Sequence, residues 1–292
     1  MLDLGGATLE RIADLDPFAL PLSFLMPGAE IEAIRHLKPV LAPHHVDFAA
    51  GNILLGVQSW LLRAGGLTIL IDSCVGEHKV RPRRADWHQR ERTGFLDRLK
   101  AAGVSPDEVD VVLCTHLHAD HVGWNTKLDN GRWVPTFPKA RYLIGKTELA
   151  HWQALEAKEP GAHNHAAYAD SVLPVIEAGL SEKVDDGFEL AKGMRIEPLP
   201  GHSPGQVGLC LDCRSHGKTL FCGDAIHSPV QVYQPGWASA FCSDRDQAVA
   251  TRLALLDRAA ETGELLVPAH IRGAHGMTIA REGAGYRPYF VG

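Results

Sequence analysis

The sequence predicts a layered α/β (α+β) protein, and three observations predict it. Apolar, β-branched runs alternate along the chain with segments of helical character. Several of those runs end in a histidine or an aspartate. At 292 residues and 45% hydrophobic content, the chain can bury a substantial core as one sizeable domain, residues 1–292.

The elements follow in order. Pro17, Pro21, Pro27, Pro39 and Pro43 interrupt the apolar pattern of the first fifty residues and leave room for one short helix from about Ala29 to Lys38. Residues 1–50 are therefore expected to form an N-terminal arm over the core or a neighbouring subunit. Leu67 to Ile71 reads as a strand ending in Asp72. Gly76 to Arg92 combines His78, Trp87, His88 and five arginines without apolar periodicity. Such a stretch is a loop over a site or a solvated basic loop. Val109 to Cys114, with adjacent valines, reads as a buried strand. Helical segments are expected at Gly94–Ala102, Glu148–Leu155, Ala166–Ala178 and Asp246–Thr262. Lys158 to Leu180 is expected to be a helical insertion between sheet halves, with His163 and His165 on its surface. Met194–Pro200, Lys218–Cys222 and Glu264–Ala269 read as further strands.

Chemistry concentrates just after the strand at Val109–Cys114, in Thr115-His116-Leu117-His118-Ala119-Asp120-His121. If the chain stays extended past Thr115, His116 and His118 share one side, and the turn that follows carries Asp120 and His121 in another direction. One short peptide can then feed two metal positions. The plain alternative is a polar loop with solvated histidines. A lone histidine commonly just packs, but three within six residues argue for ligands. Further donors stand at other strand ends: His202 in Gly201-His202-Ser203-Pro204-Gly205, Asp224 after Gly223, and His270 after Pro268-Ala269.

The set H-x-H-x-D-H, G-H-S-P-G, G-D and a late P-A-H, in this order over roughly Asn52 to His270, resembles the metallo-β-lactamase superfamily of binuclear metallohydrolases. The resemblance implies a four-layer αββα sandwich with ligands gathered at one edge of two facing sheets. It also implies that His116, His118 and His202 hold one metal ion, that Asp120, His121 and His270 hold a second, and that Asp224 bridges both. The cofactors so implied are two divalent metal ions. Imidazole and carboxylate donors suit Zn2+, with nitrogens at ~2.0–2.1 Å, and admit Mn2+, Fe2+ or Co2+.

Departures within the superfamily narrow the expected activity. Flavodiiron oxidoreductases usually place a glutamate where His118 stands, so the resemblance points to hydrolysis. Many β-lactamases of the superfamily lack the bridging aspartate, which Asp224 supplies here. Glyoxalase II relatives add a helical C-terminal domain, for which the 22 residues after His270 are too few. The lactonase, aryl esterase and methyl parathion hydrolase-like branch fits best. Acyl-homoserine lactonases of that branch typically carry a tyrosine three residues beyond the bridging aspartate. His227 stands at that position, as on the parathion-hydrolase and aryl-esterase side.

Two dications ~3.5–4 Å apart lower the pKa of a shared water from about 15.7 toward about 7, so hydroxide is available without a serine or cysteine nucleophile. The expected activity is hydrolysis of a lactone or ester by that bridging hydroxide, with promiscuous phosphotriesterase activity. The catalytic residues are expected to be Asp120, which also shuttles the proton, and His227, which hydrogen-bonds substrate. Alternatives are another hydrolase of the fold, a β-lactamase or thioesterase, and a metal-binding or redox-sensing protein without catalysis. Asp72 either orients a ligand histidine or caps a turn with Ser73. Trp124, and Trp237 with Phe241, either form an apolar binding surface or pack in the core.

Composition sets the remaining expectations. A formal net charge of −6 argues against a nucleic-acid partner. The partners expected are a small-molecule ester, lactone or phosphotriester and a second copy of the chain in a homodimer. Met1 to Gly6 lacks a basic region and no apolar stretch approaches a membrane span, so a cytoplasmic protein is expected. The six cysteines should then be free thiols. Cys210-x-x-Cys213 reads as part of a strand rather than half of a zinc site.

Overall fold

Period-two alternation along the strands sorts the apolar side chains into separate layers, and that sorting defines the architecture of the computed structural model, which describes residues 1–215 and 217–292. Leu62, Ile69, Ile71, Val111 and Leu113 point to one side of their sheet and meet Ile196, Leu209, Phe221 and Val267 of a second sheet. The alternate residues Leu61, Leu70 and Val112 point the other way and pack under Phe95, Leu99, Leu149, Trp152 and Val172. On the far side of the second sheet, Leu220, Leu266 and Met277 pack under Leu255, Leu256 and Ala259. Helix, sheet, sheet, helix is the αββα sandwich expected above.

The first sheet runs in the order Leu2–Asp3, Ala7–Pro21, Asn52–Ala64, Leu67–Ile71, Val111–Cys114, Arg141–Gly145 and Ser181–Val184, with Val46–Asp47 also paired to Asn52–Ala64. The second runs Glu189–Ala191, Met194–Pro198, Val207–Cys213, Gly217–Gly223, Leu265–Pro268, Gly276–Glu282 and Gly285–Val291. Four neighbouring pairs run parallel: Ile69 opposite Val111, Val111 opposite Arg141, Tyr142 opposite Ser181, and Thr219 opposite Leu265. Parallel neighbours need crossover connections, and their chain ends collect on one edge. The hairpin of Thr126–Asp129 and Arg132–Pro135 lies in one crossover, and helices Phe95–Ala101, Lys146–Lys158 and Arg245–Thr262 lie in the other three. Asp244 caps the last, accepting from Gln247 N–H at 2.9 Å.

Two expectations change. Residues 7–21 are not part of an irregular arm; they form the longest strand, paired residue by residue with Asn52–Ala64 from Ala7 opposite Ala64 to Pro21 opposite Asn52. Register shifts between Ala13 and Phe18 absorb Pro17, and Pro21 ends the strand, so the prolines interrupt pairing locally without preventing it. The segment 158–180 is no insertion between sheet halves. It completes the crossover between Arg141–Gly145 and Ser181–Val184, adjacent parallel strands of one sheet. As expected, Cys210 and Cys213 belong to one strand, Val207–Cys213, and lie on its opposite faces because a spacing of three is odd. All six cysteines are free. Among the described residues, no helix is long and apolar enough to cross a membrane.

Candidate metal centre

The segments that carry the candidate donors leave the sheets at one edge because each follows a strand. Thr115 to His121 follows Val111–Cys114, His202 follows Met194–Pro198, Asp224 follows Gly217–Gly223 and His270 follows Leu265–Pro268. Asp224 is central to the cluster they form. Its Oδ2 lies 3.4 Å from His202 Nε2, 4.0 Å from His116 Nε2 and 3.5 Å from His121 Nε2, and its Oδ1 lies 3.2 Å from His270 Nε2. On one side, His118 Nδ1 is 3.0 Å from His116 Nε2 and 2.8 Å from His202 Nε2. On the other, Asp120 is 3.8 Å from His121 Nε2 and 3.7 Å from His270 Nε2. Thus His116, His118 and His202 form one converging group and Asp120, His121 and His270 another.

The outward nitrogens are held, so the inward ones are aimed. His121 Nδ1 lies 2.9 Å from Asp72 Oδ2, His270 Nδ1 2.8 Å from the Gly56 carbonyl, and His116 Nδ1 3.1 Å from Thr115 Oγ1. Thr115 in turn donates its N–H and hydroxyl to Asp72 at 2.8 and 2.9 Å. Asp72 therefore orients a histidine of the cluster. Of the expected turn with Ser73, the structure shows instead Ser73 Oγ donating to Asn125 at 2.9 Å.

Burial makes this arrangement unstable as it stands and suited to a cation. The donors at His121 Nε2 and Asp224 Oδ1 are buried without a hydrogen-bond partner, and orphaned buried polar atoms are costly. Burial, followed by the neighbouring imidazoles, pushes His116 and His202 well below the ordinary histidine range. Burial alone would also depress His121, but the carboxylates of Asp224, Asp72 and Asp120 outweigh it and hold that ring well above. Burial raises Asp224 less than His270, His121 and His227 lower it, so it stays ionised. Donors at 2.0–2.1 Å from a tetrahedral centre lie about 3.3 Å apart, and the spacings here bracket that value.

His227, three residues beyond Asp224, is buried with Nε2 3.3 Å from Asp224 Oδ2. Neither ring nitrogen has a hydrogen-bond partner. Burial pushes its pKa down to about 4. Its N–H donates to Gln231 Oε1 at 2.7 Å, and Gln231 donates to Trp237 O at 2.8 Å. Arg252, fully buried, holds the same loop by donating to the carbonyls of Ala225 at 2.9 Å and Pro235 at 2.7 Å.

One important residue carries no sequence signal. Glu148, buried in helix Lys146–Lys158, accepts from Leu117 N–H at 3.0 Å, Trp152 Nε1 at 2.7 Å, Ser203 Oγ at 2.7 Å and Gly205 N–H at 3.0 Å. A single carboxylate thereby clamps the His116–His118 loop to the His202 loop. A Cβ at Gly205 would come within 2.0 Å of Glu148 N, so only glycine permits the approach. Cys222 faces the outer helix layer, away from the cluster. Cys242, not singled out by sequence, sits with Sγ 3.6 Å from His202 Nδ1.

A cavity of about 380 Å³ opens above the cluster. His118, Asp120, His202, Asp224, His227 and His270 contribute to its lining, Phe18, Leu20, Phe24, Leu25, Leu55, Trp87, Trp152 and Phe241 form apolar walls, and Arg83, Arg84, Asn164 and His165 add polar groups. His165 is therefore a cavity residue and not the surface residue expected. Phe24 and Phe241 meet edge to face at 5.8 Å. Trp124 is core, stacked on Phe95 at 5.2 Å, and Trp237 packs against the outer layer of the first sheet. Part of the loop from Gly76 to Arg92 thus reaches the cavity, while Lys79 and Arg81 are buried beneath it.

Known proteins resemble the chain in sequence and in fold. An N-acyl homoserine lactonase of Bacillus thuringiensis subsp. kurstaki is 26% identical over 139 residues, an alignment that spans about half the length of either chain, 47% of each. A second N-acyl homoserine lactonase, from Agrobacterium fabrum, is 24% identical over 77% of this chain and 79% of its own. Among solved structures, the dizinc quorum-quenching lactonase AidC in complex with a product superposes with a TM-score of 0.80 at 20% identity, covering 100% of this chain and 96% of that one. The hydrolase AbOPH superposes with a TM-score of 0.79 at 21% identity, again over 100% and 96%. These structural likenesses concern the fold. Residues 53–270, which contain every donor of the cluster, match the metallo-beta-lactamase superfamily as a whole. The chain belongs to the metallo-beta-lactamase superfamily.

Proposed function

We propose that this chain is a binuclear, dizinc hydrolase that opens lactone or ester bonds of small molecules, with phosphotriesters as secondary substrates. The observation that carries this reading is the Asp224 carboxylate standing between two groups of converging donors on the floor of a largely apolar cavity. His116, His118 and His202 would hold one cation, Asp120, His121 and His270 the other, and Asp224 both. Bound there, the pair would supply Lewis-acid polarisation of the substrate oxygen and an acidified water.

The protein's own groups do the rest. Hydrolysis adds one water across the acyl C–O bond: the water oxygen stays on the acyl carbon and a proton ends on the leaving oxygen. Asp120, on the cavity floor and partly open to it, is placed to take that proton and deliver it. His227 offers a ring N–H with no competing partner to a substrate oxygen as charge develops there. The apolar walls bury the non-reacting part of the substrate and exclude water. The lactonase names of the relatives support lactones as the first substrates to try.

The test is elemental analysis followed by turnover of dihydrocoumarin, an acyl homoserine lactone, phenyl acetate and paraoxon, each with and without chelation. Metal-dependent lactone or ester hydrolysis is expected; silence on the whole panel by metal-loaded protein would sink the reading. Replacing His227 by alanine should lower kcat by about 10²-fold with metal content intact. Loss of a metal ion in that variant would make His227 a ligand instead.

A further inference from the structure

We propose that Arg83 and Arg84 make the cavity selective for substrates bearing an anionic group, a carboxylate in the simplest case, on the part of the molecule that is not cleaved. This rests on the hydrolase reading of the same site and specifies its substrate class. Two of the five arginines in the loop from Gly76 to Arg92 are matched by acids, Asp170 partly buried and Asp14 buried. Arg81 pairs with both oxygens of Asp170 at 2.7 and 2.8 Å. Arg90 reaches Asp14 at 2.7 Å. Arg92 faces a different surface groove with Glu77 and Glu91. Arg83 and Arg84 face the cavity.

These two lack a committed counter-charge. Among the described residues, Arg83 has no carboxylate within 4 Å, and its Nη2 donates only to the Ala162 carbonyl at 3.3 Å. Arg84 has Asp86 at 3.5 Å, and that side chain is 46% exposed. The Arg84 guanidinium lies over the rings of Phe18 and Trp87, 4.9 Å from each centroid. Aromatic contact occupies its face and leaves the edge, with its forked donors, for an oxyanion. Among the described residues, the acids lining the cavity are Asp120 and Asp224 alone, and both belong to the donor cluster. Two divalent ions would exceed the charge of that pair, so the loaded cavity is positive throughout.

His165 ties the two regions together. Its Nδ1 is buried without a partner, and its ring meets Trp87 edge to face at 5.6 Å. Burial, then Arg83, Arg81 and Arg84, push its pKa down to about 4, while Asp120 acts in the opposite sense. The ring is therefore neutral at pH 7 and lies within the field of both the arginines and the cluster. A substrate acyl group anchored at the floor has its far end beside these cations.

The experiment compares mono(4-nitrophenyl) adipate with 4-nitrophenyl hexanoate, which share leaving group and chain length. The adipate ester should show a kcat/KM about tenfold or more above that of the hexanoate. That ratio should fall toward one in Arg84→Met and in Arg83→Met, the latter a rim position with little effect on folding, and should shrink with added salt. A wild-type ratio of one or below overturns the proposal. So does a preference that survives in the double variant, since the metal ions alone would then explain it. If neither ester is hydrolysed, the hydrolase reading still rests on the full panel above, and calorimetric binding of adipic acid monoanilide against hexananilide decides the anion site without turnover: equal affinities refute it, and a preference lost in Arg84→Met sustains it.

Discussion

Asp72 shows how much one side chain decides. It ends the strand Leu67–Ile71 in a left-handed conformation, φ 60°, which aspartate tolerates better than most residues. From there its carboxylate reaches both Thr115 and His121. Asp72→Asn keeps the shape but turns a donor toward the His121 N–H. Metal affinity at the His121 position should fall about 10–100-fold while the His116 position stays loaded, as read by competition with a chromogenic chelator; equal loss at both would contradict that. His45 acts on stability instead. Buried and stacked on Phe290 at 4.8 Å, it is pushed down to about 4 by burial, then by His44 and Arg272. Between about pH 4 and pH 6.5 the unfolded chain binds a proton that the folded chain refuses, so stability rises with pH through that window and falls on acidification. Unfolding free energies of wild type and His45→Gln, measured from pH 4 to 7, should diverge by up to about 3 kcal/mol in slope across the window. Parallel curves would show that His45 does not contribute.

Elements are positioned by buried polar contacts that cross between them. The loop from Gly76 to Arg92 is pinned to the crossover at Tyr168–Val172, where Asp170 takes Arg81 and lies 3.7 Å from Lys79 Nζ. Lys79 also donates to Thr126 Oγ1 at 2.6 Å and sits 3.5 Å from the Trp133 ring centroid. Asp170→Asn leaves two buried cations without their anion and should cost about 3–5 kcal/mol. It should also open the loop to limited proteolysis before global unfolding; an unchanged melting temperature would refute the anchoring role. Glu148 does the same work between the His118 and His202 loops. Neither acid was legible in the sequence. A glutamate in a helix reads as a solvated residue until the partners that bury it are known, and those partners lie up to 57 residues away. The same limit hid His165, whose path into the cavity depends on the crossover.

At the scale of the molecule, the proposed site should couple stability to metal. His121 Nε2 and Asp224 Oδ1 are buried without a hydrogen-bond partner and would gain one with a cation, so chelation should lower the melting temperature and metal return should restore it. A ligand at about 100 times its Kd contributes about 2.7 kcal/mol. A melting temperature indifferent to chelator would separate the cluster from the fold's stability. The two sheets themselves were legible because alternation and burial act locally on five to seven residues. Strand Ala7–Pro21 was not, because its prolines are accommodated by register shifts against a partner strand.

By itself, then, the sequence determined the layered class, the strand ends and the donors from His116 to His270, since donor chemistry and strand periodicity are carried by neighbouring residues. Only the tertiary structure decided which groups hold the outward nitrogens, which acids brace the donors and which two of five arginines line the cavity. Those facts depend on contacts between segments far apart in the chain, which local pattern does not encode.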